Sequence, residues 1–154
     1  MTPLEKSIRR AQGYGDIVRG DPKPAKGAHW NRGIRVARLY ANQWCREWSK
    51  GVYLRCVTCG GPAEEWAHVL SGKGDAVRWE KQNICRQCAR CNLIHEMDPE
   101  PLVTWFLKTY GQPALFELTV KSNRPVKMTY SQIMTIGDEY RKLTRTRLGE
   151  GVDQ

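Results

Sequence analysis

The chain has 154 residues, of which 40% are hydrophobic and 27% charged, and its 25 Lys and Arg outnumber its 16 Asp and Glu to give a net charge of +9. This hydrophobic fraction excludes a wholly disordered protein, and no run approaches the roughly 18 consecutive apolar residues of a membrane span. The first residues contain no apolar segment of the secretory type, so we expect a soluble, basic protein of the cytoplasm with no membrane partner.

The positive charge is concentrated near the amino terminus. Residues 1–55 carry 12 Lys and Arg but 4 Asp and Glu, whereas the remaining residues are nearly balanced, with 13 against 12. Glycine and proline interrupt residues 1–30, which predicts a flexible basic arm in which residues 4–12 could form a short helix. Such an arm suits a polyanionic partner, although a solvated, solubilising surface explains the charge equally well.

The first long helix is expected between Asn31 and Lys50. Apolar residues recur there at helical spacing, with Asn31 in position to cap the first turn and Gly51 in position to end the helix. Arginines largely decorate the opposite side, namely Arg32, Arg35, Arg38 and Arg46. The spacing therefore predicts an amphipathic helix with one basic face.

Short β-like runs and further helices follow. Two β-like runs, residues 52–57 and 64–69, are joined by a short turn segment. This arrangement predicts a β-hairpin with the Cys56-x-x-Cys59 knuckle at its tip. A polar, glycine-containing loop covers residues 70–77. Apolar periodicity and punctuation by Pro and Gly predict the remaining helices, near residues 88–96, 101–110, 112–120 and 130–148. The expected fold class is therefore α+β and mainly helical.

Four of the six cysteines have the spacing of metal ligands. Cys56-x-x-Cys59 and Cys88-x-x-Cys91 form two knuckles, and four thiolates from two knuckles suit a closed, structural zinc site. Because no secretory signal is visible, disulfides are the less favoured interpretation. We expect one structural Zn²⁺ per chain.

Two cysteines need a separate interpretation. Cys85 lies three residues before Cys88 and could replace one of the four ligands. The pair Cys88 and Cys91 is preferred, because Cys91-Asn92 then opens a helix. Cys45 lies in the tryptophan-rich first helix and is predicted to be a buried thiol.

Polar residues with catalytic potential lie between and just after the knuckles. His68 falls on the second predicted strand, Asn83 follows later in the chain, and Asn92 stands at the start of a helix. A ββα unit of this kind brings a strand histidine opposite metal-binding groups on the helix. This chemistry fits phosphodiester hydrolysis, in which neutral imidazole accepts a proton from water while a divalent cation polarises the phosphate and stabilises the departing 3′-oxygen.

The ordered spacing of these elements resembles a known nuclease motif. The chain reads CVTCG, six further residues, and then AHVLSGKGDAVRWEKQNICRQCARCN. This pattern is similar to the zinc-binding variant of the HNH, or ββα-metal, motif, and more closely to the phage lambda NinG/Rap recombination nuclease family. The shared elements are a Cys-x-x-Cys-Gly knuckle, an Ala-Gly-His-type strand, Arg followed by an aromatic residue, and Asn-Ile-x-x-Gln-Cys-x-x-Cys-Asn. The resemblance covers roughly residues 35–148.

The resemblance implies a fold and an activity. It implies one HNH nuclease domain over residues 31–150, with a zinc-stabilised ββα-metal core near 52–97 and helices over 99–148, preceded by the basic arm of residues 1–30. The implied activity is that of a DNA endonuclease that depends on Mg²⁺ or Mn²⁺. Its substrates would be branched or partly single-stranded recombination intermediates such as D-loops and Holliday junctions. The expected location is the host-cell cytoplasm if the protein is phage-encoded.

The resemblance also implies individual roles. His68 would be the general base, Asn83 would orient the His68 strand or the loop that carries it, and Asn92 would bind the catalytic cation. Lys73 and Arg78 would contact phosphate. The first long helix would grip the DNA backbone with little sequence readout, through Arg32, Arg35 and Arg38.

One departure leaves the catalytic metal site open. Many HNH enzymes have Asp or His directly before the catalytic histidine, where this chain has Ala67. His95 or Glu96 could share a helix face with Asn92 and supply the missing ligand, and Asp75 is a further candidate.

Two other interpretations of the function follow from this departure and from the motif. The chain could be a non-catalytic, zinc-stabilised DNA-binding accessory module of recombination. It could also be a homing or restriction nuclease, which a preferred cut sequence would reveal. A recombinase partner and a homodimer stay open, since resolution of a symmetric junction needs two active sites.

Overall fold

The computed structural model describes residues 28–71, 74–124 and 126–149, and the side chains from residue 32 onward. The predicted arm up to residue 27, its short helix at residues 4–12, and Lys73 lie outside the described residues. Within the described ranges, no helix has both the length and the apolar character that crossing a membrane requires.

The described residues form five α-helices and one two-stranded sheet, which confirms the mainly helical α+β class. In chain order the elements are α1 (Ala28–Val52), β1 (Glu65–His68), β2 (Ile84–Gln87), α2 (Ala89–Met97), α3 (Glu100–Tyr110), α4 (Gln112–Ser122) and α5 (Tyr130–Arg147). The four helices predicted after residue 87 are confirmed, each boundary within two residues. Two 3-10 turns, Gly74–Ala76 and Lys81–Asn83, lie between the strands.

Helix α1 is longer than its sequence predicts. It begins three residues early, at Ala28, and continues through Gly51 to Val52. The backbone N–H of Tyr53 donates to the Ser49 carbonyl at 2.9 Å, so helical hydrogen bonding continues past the glycine. Gly51 does not adopt a positive φ, and the left-handed conformation that would make it a terminator is therefore missing at this position.

The described residues divide into two compact units. The first contains residues 28–48 and 128–149, and the second contains the described part of 49–127. In the first unit, the buried positions of α1 and α5 carry mostly apolar and aromatic side chains, among them Ile34, Ala37, Tyr40, Ala41, Cys45, Ile133 and Tyr140. These side chains form the predicted apolar faces of two amphipathic helices.

Close aromatic packing joins α1 to α5 within the first unit. The Tyr40 hydroxyl donates to an Asp138 carboxylate oxygen at 2.6 Å, and the rings of Trp48 and Tyr140 have centroids 5.2 Å apart. Gly137 lets the Tyr40 ring approach the α5 backbone, because a Cβ at this glycine would lie 2.6 Å from Tyr40 Cε1. The glycine is therefore required by packing rather than by backbone conformation.

The sheet of the second unit differs from the predicted hairpin. Strand β1 pairs antiparallel with β2, in a register that sets His68 opposite Ile84. Residues 52–57 were expected to be the partner strand, and that prediction is wrong. In the described chain this segment contributes one isolated bridge, between Arg55 and Pro62.

The tight turn of the first knuckle explains the difference. The Cys56 N–H donates to the Gly61 carbonyl at 2.9 Å, and the Gly60 N–H donates to the Cys56 carbonyl at 2.9 Å. Both backbone groups of Cys56 are therefore used inside the turn, and the Val57 N–H donates to the Arg86 carbonyl of β2 at 3.0 Å. Strand β1 therefore pairs with β2, which lies much later in the chain.

Strand β2 is hard to recognise in the sequence because half of it is polar. Arg86 and Gln87 are nevertheless buried, with 6% and 1% of their surface exposed. The Arg86 guanidinium donates to the Ala63 carbonyl at 3.0 Å, and the Gln87 side-chain amide donates to the Thr58 hydroxyl at 2.7 Å. These hydrogen bonds offset part of the cost of burial and tie β2 to the segment before β1.

Helix α2 follows β2 directly, so the second unit has a strand–strand–helix order. An apolar core beneath the sheet combines side chains of both strands, the intervening segment and the next two helices: Ala67, Val69, Ala76, Val77, Cys85, Leu102, Phe106 and Leu118. This core fixes the two strands and thereby the end of β1, where His68 lies.

Candidate functional site

Four cysteine side chains meet where the knuckle before β1 reaches the start of α2. Their Sγ atoms all lie within 4.8 Å of one another, and those of Cys59 and Cys88 are 3.8 Å apart. Cys56 and Cys59 belong to the knuckle, whereas Cys88 caps α2 and Cys91 lies in its first turn. These are the four predicted ligands, and together they could bind one zinc ion.

The backbone around these thiols supplies hydrogen bonds to sulfur. The N–H of Gly61 donates to Cys59 Sγ at 3.4 Å, and the N–H of Cys91 donates to Cys88 Sγ at 3.3 Å. Gly60 has a φ of +74°, a conformation that glycine adopts without steric cost. The two turns therefore present their sulfurs together, with a backbone N–H directed at one sulfur of each turn.

Two of the four thiols, those of Cys56 and Cys91, have pKa values shifted in opposite directions. Burial raises the pKa of Cys56, but hydrogen bonds from the backbone N–H groups of Cys59, Cys88 and Thr58 outweigh burial, and the pKa is lowered to about 6. The pKa of Cys91 is raised, first by burial and then by hydrogen bonds with the neighbouring thiols. The Cys56 thiol therefore ionises more readily than the Cys91 thiol.

The other two cysteines lie outside this cluster. Cys85 on β2 and Cys45 on α1 are both fully buried, so the prediction of a buried thiol at Cys45 is confirmed. Burial raises the pKa of Cys85 to about 12, and the nearby Cys56 adds to the shift. Cys85 is therefore a neutral core thiol, and the preferred second knuckle is the one that the fold assembles.

His68 is the last residue of β1 and is half-buried. Its Nε2 lies 2.9 Å from the carbonyl oxygen of Arg78, in the segment between the strands. A carbonyl oxygen can only accept, so Nε2 carries the hydrogen and Nδ1 is the unprotonated nitrogen of the neutral ring. The indole of Trp66 meets the imidazole edge-on, with the ring centroids 4.5 Å apart. The imidazole thus has a defined tautomer and a defined orientation.

Arg78 brings a positive charge close to this ring pair. Its guanidinium carbon lies 5.8 Å from the centroid of the Trp66 ring, and Trp66 in turn contacts His68. The cation–π contact restricts the long side chain. An arginine restrained in this way is suited to a phosphate oxygen.

Asn83 is fully buried and holds the segment between the strands. Its Oδ1 accepts from the Leu70 N–H at 2.7 Å, and its Nδ2 donates to the carbonyls of Leu70 at 3.1 Å and Val77 at 2.9 Å. Arg78, whose carbonyl orients the His68 ring, directly follows Val77. Asn83 therefore fixes the backbone next to the carbonyl that contacts the imidazole.

Replacing Asn83 by alanine is expected to destabilise the second unit by about 2 kcal/mol or more, because three hydrogen bonds are lost and their backbone partners are left unsatisfied. Urea unfolding measures this change in the free energy of unfolding. The matched control is Gln82→Ala at the exposed neighbouring position, expected to stay within about 0.5 kcal/mol of wild type. Equal stability of the two variants would show that Asn83 does not anchor this segment.

Two polar side chains, one helical turn apart, tie α2 to β1. The Asn92 side-chain N–H donates to Glu65 Oε2 at 2.6 Å. Nε2 of His95 lies 3.1 Å from the carbonyl oxygens of both His68 and Val69, so it carries a hydrogen and donates to them. The end of β1 is thereby held against α2.

The predicted α2 ligands occupy different environments. His95 is buried and its Nε2 is engaged with backbone carbonyls, whereas Glu96 is exposed. Glu65 is a polar residue of this region that the sequence analysis missed, and it is the carboxylate in contact with Asn92. No spacing rule connects positions 65 and 92, because their contact arises from the packing of a strand on a helix.

The predicted DNA-contacting residues lie in both units. Arg32, Arg35 and Arg38 are exposed at three-residue intervals along α1. Arg78 lies in the second unit, between β1 and β2, and Lys73 falls outside the described residues.

Comparison with protein families gives the affiliation of the chain. The family model described as Bacteriophage Lambda NinG protein matches residues 25–148. The chain belongs to the NinG family. The NinG match spans both described units and includes the four-cysteine cluster. The expected resemblance to the NinG family is therefore confirmed. NinG membership suggests a role connected with phage recombination. Neither the curated proteins nor the solved structures compared with the chain gave a match.

Proposed function

We propose that this NinG-family chain is an HNH-type DNA endonuclease that hydrolyses phosphodiester bonds with the help of a divalent cation. Its preferred substrates are branched recombination intermediates such as D-loops and Holliday junctions. The observation that carries the proposal is the oriented, half-buried imidazole of His68, whose Nε2 donates to the Arg78 carbonyl at 2.9 Å.

The chemistry of this imidazole matches that of a general base. With Nε2 protonated and engaged, Nδ1 accepts a proton from the water that attacks phosphorus. The Arg78 guanidinium, restrained over Trp66, contacts a phosphate oxygen and offsets the charge that develops there. Asn83 keeps the Arg78 carbonyl in place, so the neutral ring holds its hydrogen on Nε2 before the reaction and becomes imidazolium when Nδ1 takes the proton of the water.

Two metal ions with different tasks belong to this proposal. Zinc is held by Cys56, Cys59, Cys88 and Cys91, which fill a tetrahedral shell and leave no position for a substrate, so its task is structural. The Mg²⁺ or Mn²⁺ ion, when bound beside α2 with Asn92 as a ligand, supplies Lewis acidity to the phosphate and to the departing 3′-oxygen. His68 and Arg78 provide the proton transfer and the phosphate contact from the chain itself.

DNA is held largely through its phosphates in this proposal. The exposed arginines of α1 suit backbone contacts, and such contacts carry no sequence information. Binding should therefore weaken steeply as salt is raised, because each neutralised phosphate releases counterions. A preference for branched over linear DNA is part of the proposal, and it would fit the recombination-related role that NinG membership suggests.

A cleavage assay tests the proposal directly. A four-way junction, a D-loop and a linear duplex of the same sequence are incubated with the full chain in Mg²⁺, in Mn²⁺ and in EDTA. We expect cuts in the branched substrates, fewer in the linear duplex, and none in EDTA. One observation, Ala67 in place of a carboxylate before His68, favours the non-catalytic accessory alternative. Tight junction binding without any cut in either metal would establish that alternative and refute the nuclease.

A further inference from the structure

Strand β1 and helix α2 bring a carboxylate and a side-chain amide together at the protein surface. The Asn92 amide N–H donates to Glu65 Oε2 at 2.6 Å, and solvent reaches both side chains. Glu65 lies on the strand that ends in His68, and Asn92 lies one helical turn before His95, which braces that strand. We propose that Glu65 and Asn92 are the protein ligands of the divalent cation. This assignment rests on the proposed endonuclease function.

The donor set suits a hard cation. Carboxylate and side-chain amide oxygens are ligands preferred by Mg²⁺ and Mn²⁺, and Mg²⁺ commonly takes one or two carboxylates while keeping waters and substrate phosphate as the remaining ligands. Two protein ligands are therefore sufficient, and the site needs no third carboxylate or imidazole.

The contact between the two side chains has the right dimensions. Rotation about the Cβ–Cγ bond of Asn92 exchanges its amide nitrogen for its oxygen, which has nearly the same size. The two oxygens would then start 2.6 Å apart, and a small outward movement of these exposed side chains reaches the separation of about 3 Å between adjacent ligands of a cation with metal–oxygen distances of about 2.1 Å. A cation between them turns an unfavourable contact of two oxygens into a favourable one.

The other candidate ligands are less suited. Ala67 offers no ligand atom and is 2% exposed. His95 donates from Nε2 to two backbone carbonyls of the β1 end, each at 3.1 Å, and so serves to brace the strand. Glu96 is exposed on α2. Glu65, in contrast, touches the Asn92 side chain directly, and it replaces the carboxylate that Ala67 lacks.

Binding of Mn²⁺ tests this assignment without relying on cleavage. Mn²⁺ is titrated, with detection by electron paramagnetic resonance, into His68→Ala protein bound to a four-way DNA junction, so that the DNA stays intact. In this background Glu65→Gln keeps an acceptor for Asn92 but removes the charge. Glu64→Gln removes the adjacent exposed carboxylate and is the matched control.

The control complex is expected to bind one Mn²⁺ per chain, and Glu65→Gln is expected to weaken binding by at least about ten-fold, since even outer-shell changes cost that much. Zinc content should be the same in both. Equal Mn²⁺ affinity of the two complexes overturns the assignment, and so does the lack of bound Mn²⁺ in both.

Failure of the function gives a different result. Wild-type protein that cuts no junction in Mg²⁺ or Mn²⁺ refutes the endonuclease, whatever Glu65→Gln does to Mn²⁺ binding. Wild-type protein that cuts, combined with unchanged Mn²⁺ affinity in Glu65→Gln, leaves the endonuclease intact and refutes the ligand pair.

Discussion

Removal of zinc from the four-cysteine cluster is expected to unfold the second unit, residues 49–127. The apparent binding energy of a structural zinc ion is about 10–16 kcal/mol in small metal-dependent domains, whereas a whole domain is typically stable by about 5–15 kcal/mol. Because the knuckle segment and the start of α2 are joined through this cluster, a chain without metal loses the link between them. Hydrogen exchange of the amides that pair β1 with β2 measures the loss of protection after chelation.

Cysteine variants make this expectation specific. Cys59→Ser should reduce the zinc content well below one ion per chain and expose the β1–β2 amides to exchange. Cys85 lies three residues from the cluster member Cys88, just as Cys59 lies three residues from Cys56. Cys85→Ala removes a thiol that is in the core outside the cluster. It should keep one zinc ion and cost about 1 kcal/mol through a small cavity. Full zinc occupancy in Cys59→Ser, or loss of zinc in Cys85→Ala, would contradict the ligand assignment.

The cysteine cluster and the helices were predictable because local patterns encode them. A Cys-x-x-Cys turn sets two sulfurs side by side whatever the rest of the chain does, and two such turns need one encounter to form a tetrahedral set. Helices α2 to α5 follow from apolar periodicity and from punctuation such as Gly111 between α3 and α4. These signals act over a few residues, so they can be recognised without knowledge of the tertiary fold.

The pairing of the strands was not predictable from the same kind of signal. The residues around the first knuckle look β-like, but the backbone groups of Cys56 are engaged in the knuckle turn and the Val57 N–H donates to β2. Strand β2 contains Arg86 and Gln87, whose burial depends on hydrogen bonds to Ala63 and Thr58 from an earlier segment. A polar residue is compatible with a buried strand when distant partners satisfy it, and sequence alone does not identify those partners.

In the candidate site, too, some features were predictable from the sequence and others were not. The motif drew attention to His68, Asn83 and Asn92, which the fold brings into one strand–strand–helix unit. The orienting hydrogen bond to the Arg78 carbonyl and the contact between Asn92 and Glu65 were not visible, because both join residues with no regular spacing. Residue types with chemical function can be recognised from sequence, whereas the groups that orient them are known once the packing is known.

Replacing His68 by alanine is expected to lower the rate of junction cleavage by about 10²- to 10⁴-fold, which is the usual contribution of a positioned general base. DNA affinity should change little, because binding relies on arginines and on contacts with the phosphate backbone. Single-turnover cleavage of a labelled four-way junction in Mg²⁺ measures the rate, and a filter-binding titration without added divalent cation or chelator measures affinity. Zinc content and the urea midpoint show whether the fold is retained.

A glutamine at the same position separates the role of base from a purely structural role. The amide of His68→Gln can still donate to the Arg78 carbonyl, so it preserves the connection to the loop anchored by Asn83, but it has no nitrogen that accepts a proton at neutral pH. A general base predicts that His68→Gln is as inactive as His68→Ala, and that added imidazole restores part of the cleavage in the alanine variant. Near-wild-type cleavage by His68→Gln would instead mean that the ring holds the end of β1 in place and that the attacking water loses its proton to another group.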